Sequence, residues 1–369
     1  MTDIDISTTV NGLKFENPFV IASGPPGTNK AMIRKAFEEG WGGMVAKTIS
    51  LENNKVINVV PRYGKLYSRE NGEVIGFQNI ELISDRPVED WLKEFAELKS
   101  KYPSKILIAS IMEEYNKGAW QKLVQMVQET GVDAFELNFS CPHGLPERKM
   151  GMAMGENSDI VEEVTRWVTE VAKVPVWAKM TPNITDITVP AKSAVKGGAH
   201  GISAINTILA VIGIDLDTLR PLPTVHGHSI PGGYSAQAVR PIALRHVMEL
   251  ARHLDKSISI SGMGGAECAK DAIEFLLLGS STVQFCTAPM LQGFGMLKEL
   301  VTGLKSFMAK HGFTKVSDIV GKSLPYFTTH HHLVELRTAA QEAKAKQTSR
   351  DTEWSGEKIS EQTKDLATN

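Results

Sequence analysis

One pattern limits this chain more than any other: short apolar, β-branched runs recur, each followed by a longer stretch. The runs cover residues 19–24 (FVIASG), 43–49 (GMVAKTI), 106–112 (ILIASIM), 133–139 (DAFELNF), 175–181 (PVWAKMT), 201–207 (GISAINT), 257–262 (SISISG) and 282–287 (TVQFCT). Amphipathic segments at 30–39, 88–101, 120–130, 159–172, 242–253 and 266–278 lie between or after them. In 159–172, the apolar Ile160, Val161, Val164, Trp167, Val168 and Val171 fall at three- and four-residue steps, which is one buried helix face. Strand–helix units in series predict a parallel sheet covered by helices, and eight strands is the number that closes a barrel.

The expected fold class is therefore α/β, a (β/α)8 TIM barrel with lid insertions and an extended C-terminal arm. The insertions are residues 51–86 and 208–239, too long for ordinary connections. The barrel is expected over 1–327. The Lys-, Glu- and Gln-rich remainder, 328–369, lacks a core pattern and reads as an arm rather than a domain. Lys+Arg 40 against Asp+Glu 42 gives a net charge of -2, so no global field points to nucleic acid or an anionic membrane. No apolar run reaches the roughly 18 residues of a membrane helix. The first residues, MTDIDISTTVNG, resemble neither a secretory signal nor a transit peptide. A cytoplasmic location, or an organelle-resident mature form, is expected. Three cysteines (Cys141, Cys268, Cys286) suit a reducing compartment and are too few for an iron–sulfur cluster held by four thiolates.

Barrel enzymes place their reactive groups where strands end. Here the strand ends carry Ser23, Lys47, Thr48, Asn138, Ser140, Cys141, Lys179, Asn206, Thr207, Gly262, Cys286 and Thr287. A buried strand has no structural use for lysine or asparagine, since an unpaired buried polar group costs about 1–3 kcal/mol. Lys47 and Lys179 together argue for an anion between them, whether phosphate, carboxylate or a reduced flavin ring. A packed stem with a snorkelling amine is the plainer alternative for each. Asn79, Asn138 and Asn206 offer carboxamides that complement a planar imide or pyrimidine edge. Cys141 could be core, metal ligand, nucleophile or proton donor; a thiol with its ordinary pKa of about 8.5 stays protonated and can donate at neutral pH. The adjacent His143 lacks zinc-ligand spacing. Glycines at 261–265, after the seventh strand, suit a phosphate. His226 and His228 lie in the second insertion with no derivable role, and His330, His331 and His332 read as a surface or packed turn.

These motifs together resemble the flavin-dependent dihydropyrimidine dehydrogenases, relatives of the class 1 dihydroorotate dehydrogenases. The resemblance runs from about Asn17 to Phe327, on NPFVIASGPP, VAKT, FQNIELIS, ASIM, LNFSCPHG, AKMTPN, INT, GGYSA, AVRPIAL, SGMGG and FCT. SLPYFTTH and the tail around Trp354 look like the short plant-type members. The resemblance implies an FMN-containing barrel. Ala22, Ser23, Lys47, Thr48 and Lys179 would contact the flavin ring side, and Gly262, Cys286 and Thr287 the phosphate side. Ala236 stands where the family often has a glycine and would contact the cofactor through its backbone. Asn79, Glu81, Asn138, Ser140, Asn206 and Thr207 would hold the pyrimidine. The reaction implied is reduction of uracil and thymine to 5,6-dihydropyrimidines, the first step of pyrimidine catabolism. Hydride would pass from N5 of reduced FMN to C6 while Cys141 protonates C5.

The resemblance further implies NADPH as ultimate donor, acting directly or through a separate reductase, with no iron–sulfur cluster on this chain, and a homodimer. The competing readings are a dihydroorotate dehydrogenase, which needs a cation for the substrate carboxylate, a Schiff-base barrel lyase using Lys179, and a non-enzymatic binding barrel.

Overall fold

The computed structural model describes residues 4–51, 56–141 and 150–355, with side chains described as far as Lys344. Eight strands form the barrel: β1 (Phe19–Ile21), β2 (Gly43–Val45), β3 (Ile106–Ile111), β4 (Ala134–Phe139), β5 (Val176–Met180), β6 (Gly201–Ala204), β7 (Ser259–Met263) and β8 (Thr282–Phe285). All neighbours pair in parallel, in chain order, and β8 closes on β1. Each expected run overlaps one barrel strand. Most strands end before the run does, because the polar residues beyond them turn into the loops at the barrel mouth.

The barrel helices are α1 (Lys30–Glu39), α2 (Val88–Lys101), α3 (Lys117–Gln128), α4 (Ser158–Thr169), α5 (Thr188–Lys196), α6 (Arg240–His253), α7 (Ala269–Leu277) and α8 (Leu297–His311). Asparagine side chains cap three of them: Asn29 accepts from Met32 N, Asn116 from Ala119 N, and Asn157 from Asp159 N and Ile160 N. Helices α5 and α8 lie where the sequence pattern assigned none. Pro190 stands in the first turn of α5, where a missing N–H breaks no intrahelical bond. Gly303 weakens the propensity of α8, yet a Cβ there would lie 2.3 Å from Ala269 Cβ of α7. Close helix packing requires that glycine.

An antiparallel hairpin, Thr8–Val10 with Leu13–Phe15, precedes the barrel. Val10 and Phe15 join Val20, Val45, Ile106, Ile108, Ala134 and Trp177 in one apolar cluster. The two long insertions, far apart in sequence, form a single four-stranded sheet. Its order is Ile208–Ala210, Gly232–Ser235, Val74–Asn79, Tyr63–Tyr67. A separate ribbon pairs Gly213–Asp215 with Arg220–Leu222. The chain divides into two units, Met1–Leu324 and Pro325–Asn369. The second contains α9 (His330–Ser355), a helix within the residues expected to form the arm. His331 and His332 begin that helix, exposed, each 3.2 Å from Glu335. They are not in a turn. Trp354 and the His143 loop lie outside the described side chains. No helix among the described residues is long and apolar enough to cross a membrane.

Gly262 of β7 shows how tightly barrel and helices mesh. A Cβ there would approach Ser280 Oγ to 2.2 Å and Phe275 Cδ1 of α7 to 2.7 Å. Gly262→Ala is expected to destabilise the fold by about 1–3 kcal/mol through overpacking, read as a lower denaturant midpoint at unchanged slope.

Candidate active site

The strands deliver their polar ends into one cleft of about 1090 Å³, counting the space at its open mouth. This lies just above the size range of ligand pockets, about 300–1,000 Å³. Ala22, Ser23, Lys47, Thr48, Asn138, Cys141, Lys179, Asn206, Thr207, Cys286 and Thr287 line it from the barrel. Asn79, Glu81 and Ala236 line it from the insertions. Two expected residues do not. Ser140 is fully buried behind the lining, and Gly262 faces α7, where Phe275 and Ser280 fill the space beside it. The glycines of that loop that reach the cleft are Gly264 and Gly265.

The parallel register places these groups side by side. Asn138 of β4 pairs with Lys179 of β5, and Lys179 with Ser203 of β6. Asn138 Nδ2 donates to Thr48 Oγ1 at 3.0 Å, and Thr48 Oγ1 lies 2.8 Å from Ser110 Oγ and 3.2 Å from Ser23 Oγ. Asn138 Oδ1 accepts from both Ser140 N (3.1 Å) and Ser140 Oγ (2.9 Å). Asn206 Nδ2 donates to Ser140 O at 2.7 Å. Ser140 is thus a brace between two cleft asparagines. Asn79 Nδ2 donates to Gly233 O at 3.1 Å, across the insertion sheet.

Charge in the cleft is largely paired. Lys47 Nζ lies 2.7 Å from Glu81 Oε2, and Arg62 Nη1 lies 3.0 Å from Glu81 Oε1. Lys47 and Glu81 are both buried. Lys179 Nζ lies 3.6 Å from Glu136 Oε1 in the barrel interior. Burial, followed by the nearby Glu81 carboxylate, pushes the Tyr63 hydroxyl well above its usual range. Burial pushes the Cys286 thiol up to about 11, against the opposing pull of Lys179 and Lys47. Cys286 therefore stays protonated at neutral pH.

His226 and His228 do not line the cleft. His226 has a positive φ, and the backbone of His228 bonds to Val225 in a tight turn. The sequence reading missed Arg62, Tyr63, Glu136 and Gln284. Glu136 and Gln284 carry the same signal as the lysines, a polar type inside an apolar strand (AFELNF, TVQF). Arg62 and Tyr63 carry no such signal, since an insertion is ordinarily polar.

A profile for dihydroorotate dehydrogenase matches residues 5–308. The chain belongs to the dihydroorotate dehydrogenase family. Within that family, a chloroplastic dihydropyrimidine dehydrogenase (NADP(+)) of Arabidopsis thaliana is 54% identical over 376 residues, covering 99% of this chain and 88% of that one. The NAD-dependent dihydropyrimidine dehydrogenase subunit PreA of Escherichia coli K12 is 42% identical, covering 86% of this chain and 76% of that one. The catalytic subunit of dihydroorotate dehydrogenase B (NAD(+)) of Pyrococcus abyssi is 37% identical, covering 85% and 97%. The family resemblance read from the motifs is borne out, as is the barrel.

Ala236 is a strained lining residue in this dehydrogenase-family site. Its φ of 74° and ψ of -170° lie in a region that only glycine adopts without cost. Such strain costs about 1–3 kcal/mol, partly offset on substitution by glycine's larger unfolded-state entropy of about 0.4–1 kcal/mol. Ala236→Gly is expected to stabilise the protein by about 1 kcal/mol, seen as a raised thermal midpoint.

Proposed function

We propose that this chain is a dihydropyrimidine dehydrogenase of the NADP-dependent type, reducing uracil and thymine to their 5,6-dihydro forms with FMN as resident cofactor. The observation that carries the reading is one cleft holding two buried lysines, three asparagines and the Cys141 thiol as a proton source, in a chain 54% identical to such a dehydrogenase. The residues present fit FMN. Gly264 and Gly265 bring bare backbone to the cleft after β7, and a Cβ on Gly265 would lie 2.6 Å from Ala236 O. Thr287 after β8 holds Ser235 of the insertion sheet at 2.9 Å, so loop and insertion enclose one end, where a phosphate would go. Lys47 and Lys179 would hold the ring side, beside Ala22, Ser23 and Thr48.

When bound, FMN would supply the hydride for the pyrimidine double bond. The chain's own part is orientation and proton delivery. Ser140 and Thr48 fix the Asn138 amide so that its second N–H can meet a pyrimidine carbonyl. Asn206 commits an N–H to Ser140 and keeps its carbonyl oxygen for a pyrimidine N–H. Asn79, Glu81 and Thr207 complete the ring of polar contacts. Cys141, buried beside Ile83, Met112 and Met150, would donate its thiol proton to C5.

Electrostatics favours a neutral substrate over dihydroorotate, because among the described residues Lys47 and Arg62, the cations beside the insertion, are already engaged by Glu81. Schiff-base chemistry needs an amine free to attack, whereas Lys179 is committed to Glu136. In this reading electrons would arrive from NADPH, directly or through a separate reductase, in the cytoplasm or an organelle. Purified protein is expected to show flavin absorbance, and a colourless preparation would sink the proposal; anaerobic bleaching by NADPH alone, with recovery on adding uracil, would make NADPH the direct donor, whereas no bleaching would demand a separate reductase. Cys141→Ala is expected to keep FMN while pyrimidine reduction falls by about 10²–10⁴-fold, and unchanged turnover would remove the thiol from the reaction.

The reading includes a homodimer. More than half of the large hydrophobic side chains exposed among the described residues belong to the two insertions, including Ile57, Val60, Leu216 and Leu219. Sedimentation is expected to give twice the chain mass, and Leu216→Asp with Leu219→Asp to shift it toward the monomer. A monomeric parent protein would refute the dimer.

A further inference from the structure

Glu136 stands two residues before Asn138 on β4 and is 1% exposed, so both side chains face the barrel interior. Its Oε2 accepts a hydrogen bond from Gln284 Nε2 at 3.0 Å. Its Oε1 is buried with no hydrogen-bond partner and faces Lys179 Nζ at 3.6 Å. Gln284 is held in turn by Ser261 Oγ (3.0 Å) and Ser203 Oγ (3.4 Å), and Ser261 Oγ lies 2.7 Å from Thr282 Oγ1. Four strands therefore build a polar layer whose effect is to hold one carboxylate beneath one ammonium.

Stability does not account for that layer. Barrel interiors fill with Val, Ile and Leu, and replacing a buried ion pair by apolar side chains is often neutral or stabilising. Lys179, however, faces two ways. Below it is Glu136, and above it is the cleft that it lines. Charges interact strongly in such a desolvated place. The other cleft lysine, Lys47, already has Glu81 at 2.7 Å. Among the described residues, the balance between Lys179 and Glu136 therefore contributes directly to the field on a bound ring.

We infer that Glu136 is a positioning residue for Lys179. It anchors the ammonium at the floor of the cleft and offsets part of its field, which sets how strongly the site stabilises the negative charge of reduced flavin. The inference rests on the flavin reading above. Glu136→Gln keeps the shape and an acceptor for Gln284 but removes the charge, so Lys179 acts on the ring without its counter-ion. The reduced ring is then held more strongly, and becomes a weaker hydride donor.

The test is the two-electron midpoint potential of bound FMN in the parent protein, Glu136→Gln and Glu136→Asp. Glu136→Gln is expected to raise the ratio of reduced to oxidised flavin at fixed potential at least tenfold, which is about 30 mV more positive. Glu136→Asp, with its carboxylate drawn back from Lys179, is expected to shift the potential the same way by less. A purely structural role would lower FMN content and leave the potential of the retained flavin unchanged. That outcome, or a shift to lower potential, overturns the inference. Should Glu136→Gln fail to fold, the Asp variant decides by the same criterion. A parent protein without flavin would defeat the cofactor reading instead, so the two failures are distinct.

Discussion

Closing a parallel sheet into a barrel forces the inward side chains of every strand into one shared interior with little water. Everything else in this site depends on that constraint. A lysine on an open sheet could reach solvent; Lys179 cannot, and is met by Glu136 on the neighbouring strand. The same closure makes Gln284, Ser261 and Ser203 neighbours of Glu136, although they come from widely separated parts of the chain. Polar groups that would each be costly alone are partly satisfied by one another, and the unpartnered Glu136 Oε1 is left facing the Lys179 ammonium.

Above that layer, the insertions finish what the barrel begins. Glu81 follows the insertion strand and binds both Lys47 of the barrel and Arg62 of the other side of the same insertion. The cleft is therefore bordered by paired charges rather than by a bare cationic surface. Paired charges with carboxamides between them suit a flat, uncharged substrate with hydrogen-bonding edges better than one that carries a carboxylate. The near-zero net charge of the whole chain is compatible with this, but the pairing within the cleft carries the argument.

Much of this was legible beforehand because the signal is local. Lys47, Asn138 and Lys179 interrupt apolar strands, and such an interruption marks a site whatever surrounds it. Glu136 and Gln284 carry the same mark, but they lie deeper than the strand ends on which the reading concentrated. Gly262 was expected at the cleft and belongs to the barrel–helix interface, because alternation along β7 turns it toward Phe275 and Ser280. Helices α5 and α8 were hidden by Pro190 and Gly303, whose low propensity is overridden by position and by packing. The joining of residues 63–79 with 208–235 into one sheet left no local trace.

By itself the sequence determined the number of barrel strands, hence the closed barrel, and the chemical types available at its mouth. These follow from periodicity and residue identity, which act over a few residues. The tertiary structure alone decided which charges neutralise which. Lys47 goes to Glu81 and Lys179 to Glu136, because ion pairing depends on distances of a few ångströms between segments that only barrel closure and sheet pairing bring together.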